Sequence, residues 1–176
     1  SPRPDGVVAV GDRPTIIAAH TAQVLGLPYN SLDAAHACRS KRTARERFGA
    51  AGLAVPEYFD VPISTDPRTV RATFPCVLKP LGLSASRGVI RANRESEFID
   101  AFERIKAILT DPDLVRQKDE LNAIIQVEEF IPGREYALEG IVTDGKLQTL
   151  AVFEKPDPLD GPYFEETIYL TPPRVS

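Results

Sequence analysis

A chain of 176 residues, 43% hydrophobic and 26% charged, has the length and composition of one ordinary globular domain or two small subdomains with a real core. A net charge of −4 argues against a nucleic-acid partner, and no apolar run is long enough to span a bilayer. Two cysteines in unlike contexts make neither a disulfide framework nor a metal site, the two histidines fall among alanines in helical pattern, and with no signal-peptide pattern the expected location is the cytoplasm.

In chain order, "GVVAVGD" predicts a short buried strand over Val7 to Val10 and a turn. "DRPTIIAAHTAQVLG" predicts a helix with Asp12 as its cap, Pro14 in the first turn and Gly26 as its stop. A second helix follows the cap residue Ser31, and a third starts at Ser40 and ends near Gly52. This opening has the pattern of an α/β unit whose parallel-strand partners lie upstream. The basic run Arg39-Ser40-Lys41-Arg42, continuing to Arg45 and Arg47, reads first as the solvated face of a helix. "VPEYFDV" predicts an edge strand.

From Phe74 the pattern changes. "FPCVLKP" and "GVIRA" predict two strands around a loop of small residues. Asn93 is placed to cap the next helix, on which Phe98, Phe102, Ile105 and Leu109 recur at helical spacing and so share one buried face. "AIIQVEEFI" predicts another strand. "REYALEGIV" and "KLQTLAVFEK" flank Asp144-Gly145, a pair that tolerates positive φ, and predict a hairpin. Pro156 to Pro173 is expected to be a loop. The fold class is therefore α/β followed by α+β, the second unit being antiparallel. A chain that starts at Ser1, contains no methionine and ends on "YLTPPRVS" is expected to be an internal piece of a longer protein.

Three stretches carry chemistry. Lys79 ends a strand and precedes the loop Gly82 to Gly88; it is either a solvated charge or a phosphate ligand, since small residues let backbone N–H groups approach an anion. The loop is not a Walker A loop, because the G-x-x-x-x-G-K-[ST] order is absent. "QVEEFIPGREY" is either a strand ending in a solvated acidic pair or a nucleotide hinge. In the second reading the backbone of Glu129 and Ile131 meets an adenine edge and Glu135 accepts from two ribose hydroxyls. Lys41 opens the third helix and would serve a phosphate only if the fold brings it to Lys79.

Taken together, "RSK", "VLKP", "LSASRGV", "VEEFIPGREY" and "FEKPDPLDGPYFEE" after an α/β unit resemble the ATP-grasp superfamily over nearly the whole chain. "EEFIPGREYALEGIV" and "DGPYFEE" are similar to its carboxylate–amine ligase branch, which includes L-amino acid ligases and carnosine synthase-like enzymes. The resemblance implies ATP and Mg²⁺ as cofactors. It implies phosphate contacts from Lys41, Lys79 and Lys155, and a flap of Ser84, Ala85, Ser86, Arg87 and Gly88 over the β- and γ-phosphates. It further implies an adenine hinge of Glu128, Glu129, Phe130 and Ile131, the ribose on Glu135, and Glu165 and Glu166 near the amino-acid substrate. The implied reaction activates a carboxylate as an acyl phosphate, which an amine then attacks to give an amide, ADP and phosphate. The expected partners are ATP and small carboxylate and amine substrates, with a homodimer as the assembly common in the family, and neither membrane nor nucleic acid.

On this resemblance residues 1–36 are the remnant of an N-terminal α/β domain, 37–73 a helix-and-strand linker, 74–155 the ATP-binding subdomain and 156–176 the start of a C-terminal subdomain. The acidic metal ligands of the family would follow Ser176, so the chain alone is expected to be inactive while its parent is a ligase. Two other readings stay open: a non-catalytic nucleotide-binding regulatory module, and a biotin carboxylase-type enzyme, for which a more glycine-rich flap is expected than "LGLSASRG".

Overall fold

The structure, a computed structural model, describes residues 3–158, 160–164 and 166–174. Three helices open it: α1 (Asp12–Leu25), α2 (Leu32–Arg39) and α3 (Lys41–Ala50). Ser31 and Ser40 cap the last two as expected, their hydroxyls accepting from the Ala34 and Thr43 N–H groups. Gly26 closes α1 in the left-handed conformation at φ 64°, where a side chain would be strained.

Two expectations for this opening fail. Val7 to Val10 form no strand, and Val8 and Val10 stand exposed. A strand needs a hydrogen-bonded neighbour, and none of the described strands runs beside this segment. Asp12 is not the cap of α1 but its first helical residue. Gly11 occupies the cap position without a side-chain bond, and Thr15 Oγ1 donates to the Gly11 carbonyl at 2.9 Å.

The core is built on a four-stranded antiparallel sheet of β1 (Tyr58–Pro62), β2 (Cys76–Pro80), β3 (Ile90–Ala92) and β4 (Ile124–Glu129), in the order β1-β4-β2-β3. Helix α4 (Glu95–Leu109) lies on one face. Its Phe98, Phe102, Ile105 and Leu109 pack on Leu78, Ile90, Ile125 and Val127. Asn93 does not cap α4. Arg94 holds that position, and the Glu97 carboxylate reaches back to accept from the Asn93 N–H and Nδ2.

Alternation along the strands decides what the other face carries. In β4, Ile125 and Val127 face α4, so Gln126 and Glu128 face away; in β2, Cys76 and Leu78 face α4, so Val77 and Lys79 face away. Lys79 pairs with Gln126 and Val77 with Glu128, which makes Lys79 and Glu128 diagonal neighbours on one face. Helix α3 covers that face: Arg42 pairs with Asp60 and Arg45 with Glu128. Arg42 and Arg45 of the basic run are therefore packed against the sheet rather than solvated, because their acidic partners come from strands that follow them in the chain, while Arg47 stays exposed.

A second, two-stranded sheet joins β5 (Glu135–Thr143) to β6 (Lys146–Lys155). Asp144 at φ 51° and Gly145 at φ 75° form its turn, the positive-φ pair that a two-residue hairpin needs. The chain beyond β6 folds back on both sheets, bridging Glu154 to Leu170 and Ile90 to Tyr163. The described residues include no helix long and apolar enough to cross a membrane.

Candidate functional site

Where α3, the end of β2, the loop after it and the end of β4 meet, a cleft of about 490 Å³ opens. Its floor is polar. Glu128, 3% exposed, accepts from Arg45 Nε at 3.1 Å and Nη2 at 3.2 Å, and also binds Lys79 Nζ. Burial works against its charge, yet Lys79 and Arg45 outweigh that and hold the carboxyl below its ordinary value. Lys41 Nζ donates to the carbonyls of Pro80 at 3.0 Å and Leu83 at 2.5 Å. Burial first, and Lys79 second, lower its pKa.

The loop after β2 forms one wall. Gly82 passes so close to the turn before β4 that a Cβ would lie 2.5 Å from Asn122 Oδ1. Ala85 and Ser86 both sit at positive φ, 54° and 53°, and Gly88 at 76° has the same requirement. Two adjacent non-glycine residues in the left-handed region turn the loop sharply over the cleft. The opposite wall is Glu129 to Glu135. Phe130 does not continue β4, which ends at Glu129. Its N–H donates to the Pro75 carbonyl and its ring lies under the Arg91 guanidinium at 3.8 Å. The Glu129 N–H is spent on the Glu57 carbonyl at 2.9 Å, whereas Ile131 stands 65% exposed.

Most sequence-predicted positions thus converge. Lys41, Lys79, Ser84, Ala85, Ser86, Glu128, Glu129, Phe130, Ile131, Glu135 and Glu166 all line this one cleft. Arg87 and Gly88 face a neighbouring opening that also borders Ser86. Lys155 does not line the cleft but binds Glu135 and Glu166, which do. Desolvation opposes the Lys155 charge, but these two carboxylates outweigh it and raise its pKa. Glu166 is held low by Lys155 and Tyr169. Glu165 lies outside the described residues. Among those described, no three His, Cys, Asp or Glu side chains gather as metal ligands.

Sequence reasoning missed Arg45 and Val77. The signal was present for both: Arg45 follows Lys41 by one helical turn, and Val77 precedes Lys79 by one strand period, so each shares a face with a residue already singled out.

This fold agrees with the comparisons to known proteins. Residues 72–176 match the ATP-grasp domain, and the chain belongs to that family. No curated protein matches the sequence. Among solved structures, the chain is similar to L-amino acid ligase from Bacillus licheniformis, with 26% identity and a TM-score of 0.81 over 98% of this chain and 40% of that one. It shares its fold with D-alanine–D-alanine ligase from Helicobacter pylori, at 17% identity and a TM-score of 0.61 over 82% of this chain and 42% of that one. The corresponding ligase from Coxiella burnetii gives 19% and 0.58 over 77% and 39%. The chain therefore spans about 40% of the length of the ligases it resembles.

Proposed function

We propose that the cleft is an ATP site and that the chain is the ATP-binding part of a ligase joining a carboxylate to an amine. The observation that carries this reading is the meeting of Lys41 and Lys79, from separate segments, at one cleft walled by a flap of small residues. Two ammonium groups near a buried carboxylate leave net positive charge where a triphosphate would lie, and positioned cations suit a reaction whose difficulty is charge on phosphoryl oxygens. Phe130 offers an apolar edge, and Ile131 offers backbone, for the base. Glu135 offers paired acceptors for the ribose, and Lys155 holds that carboxylate in place.

In the proposed reaction a carboxylate oxygen bonds to the γ-phosphorus and ADP leaves with the electron pair of the broken P–O bond. The amine nitrogen then bonds to the acyl carbon, and phosphate and a proton depart. The flap excludes water that would hydrolyse the acyl phosphate. ATP chemistry of this class uses Mg²⁺, for which the described residues offer no cluster of three ligands. Residues 74–155 form the ATP-binding subdomain on this reading, with β1 supplied by the preceding segment.

The test is thermal unfolding with ATP and with GTP, for the wild-type chain and Lys79→Ala. A ligand that binds only the folded state stabilises it by roughly 2.7 kcal/mol at a hundredfold excess over its dissociation constant. An ATP-selective stabilisation that Lys79→Ala abolishes is expected. Equal stabilisation of wild type and variant would remove the cleft from the reading.

A further inference from the structure

Around the base of the flap, sharing Lys41, Leu83 and Ser84 with the cleft, lies a second cavity of about 600 Å³. It is bounded by the start of α1, the end of α2 and the flap. Four cations from four segments line it, Arg13, Arg39, Lys41 and Arg87, against a single acid among the described residues, Asp12. Among the described residues, Arg39 is the one of the four in a salt bridge, with Asp119. Arg13 bonds the amide oxygen of Gln117 and Lys41 bonds backbone carbonyls, so neither charge is cancelled by its partner. No carboxylate pairs with Arg87 among the described residues. The first turn of α1, with no side chain capping it at Gly11, adds the positive end of a helix on the same side.

We propose that this cavity receives the acid substrate, and that the substrate carries a second negative group besides the carboxylate to be activated. The inference rests on the nucleotide reading of the adjoining cleft. Lys41 is shared with the phosphates. A monocarboxylate placed for attack would leave Arg13 and Arg87 in excess over Asp12, the one acid lining the cavity among the described residues. A dianionic acid answers both: one end meets the γ-phosphate and the other meets the two arginines. The chemistry fits a dicarboxylic acid or a phosphorylated one.

The experiment is isothermal titration of the chain at constant ionic strength with succinate, inorganic phosphate and acetate, each with ADP titrated in parallel. Succinate or phosphate is expected to bind at least tenfold more tightly than acetate, the stronger of the two marking the second group as carboxylate or phosphate. Arg13→Gln should weaken dianion binding at least tenfold with ADP binding unchanged. Arg87→Gln, also at an exposed position, should weaken it independently. Normal ADP binding with no dianion binding, or with acetate binding as well as the dianions, overturns the inference and leaves the nucleotide reading standing. Loss of ADP binding in the wild type strikes the nucleotide reading instead, and takes the substrate assignment with it even where a dianion still binds.

Discussion

Arg45, one turn along α3 from Lys41, forks onto the buried carboxylate of Glu128, with Nε on one oxygen at 3.1 Å and Nη2 on the other at 3.2 Å. Lys79 binds the same group from β2, so one acid from β4 holds a helix and a neighbouring strand together. Arg45→Ala leaves Glu128 buried with one partner. A hydrogen bond to a charged group contributes about 1.5–3 kcal/mol, and because Arg45 is partly exposed we expect a loss near the lower end, about 1.5 kcal/mol, by urea unfolding. Arg45→Lys should recover little of it, since an ammonium cannot span both oxygens. Full recovery by lysine would show that charge alone matters.

The same carboxyl sets an acid limb. Its folded pKa lies below the ordinary 4.5, held there against burial by Lys79 and Arg45. Stability from its ionisation is therefore complete above pH 4.5 and is lost as pH falls through the folded value. Melting temperatures recorded between pH 7 and pH 3 should fall less steeply below 4.5 for Glu128→Gln than for the wild type. Parallel slopes would assign the acid limb to other groups.

Lys41 titrates in the opposite sense. Burial and Lys79 bring its pKa below the ordinary 10.5, so it loses its proton earlier than an exposed lysine as pH rises. On the proposed function, ADP affinity should decline with rising pH before 10.5 is reached. Lys41→Arg, which stays protonated throughout, should bind ADP with a flatter profile. A fluorescent ADP analogue titrated from pH 7 to pH 10 reads this directly. Superimposable profiles would remove Lys41 from the phosphate contacts.

Gly82 is a packing requirement more than a source of flexibility. A Cβ there would stand 2.5 Å from Asn122 Oδ1 and 3.0 Å from Leu121 Cβ. Gly82→Ala should cost about 1–3 kcal/mol, the range for overpacking a filled site. Calorimetric melting tests it, and a variant as stable as wild type would mean the turn at Asn122 yields freely.

Local patterns made much of this fold legible. Ser31 and Ser40 announce their helices through their caps, Asp144-Gly145 its hairpin through its turn, and Phe98 to Leu109 the buried face of α4 through its period. What misled were features whose partner is far off. Val7 to Val10 look like a strand, but strandedness belongs to a pair, and no described strand runs beside them. The basic run looks solvated because Glu128, which Arg45 binds, is 83 residues away. For the candidate site, Lys41 and Lys79 were readable as residues but not as neighbours. Their meeting depends on α3 crossing the polar face of the sheet, which no short window of sequence encodes.

An ammonium has three protons, and Lys41 spends two of them on Pro80 and Leu83. One is left for an incoming oxygen. The proximal end of the flap is thereby riveted to α3, a tie that Lys41 does not extend beyond Leu83. A phosphate that demanded more than one bond from Lys41 would have to loosen that rivet, so ligand grip and flap anchorage draw on the same three protons.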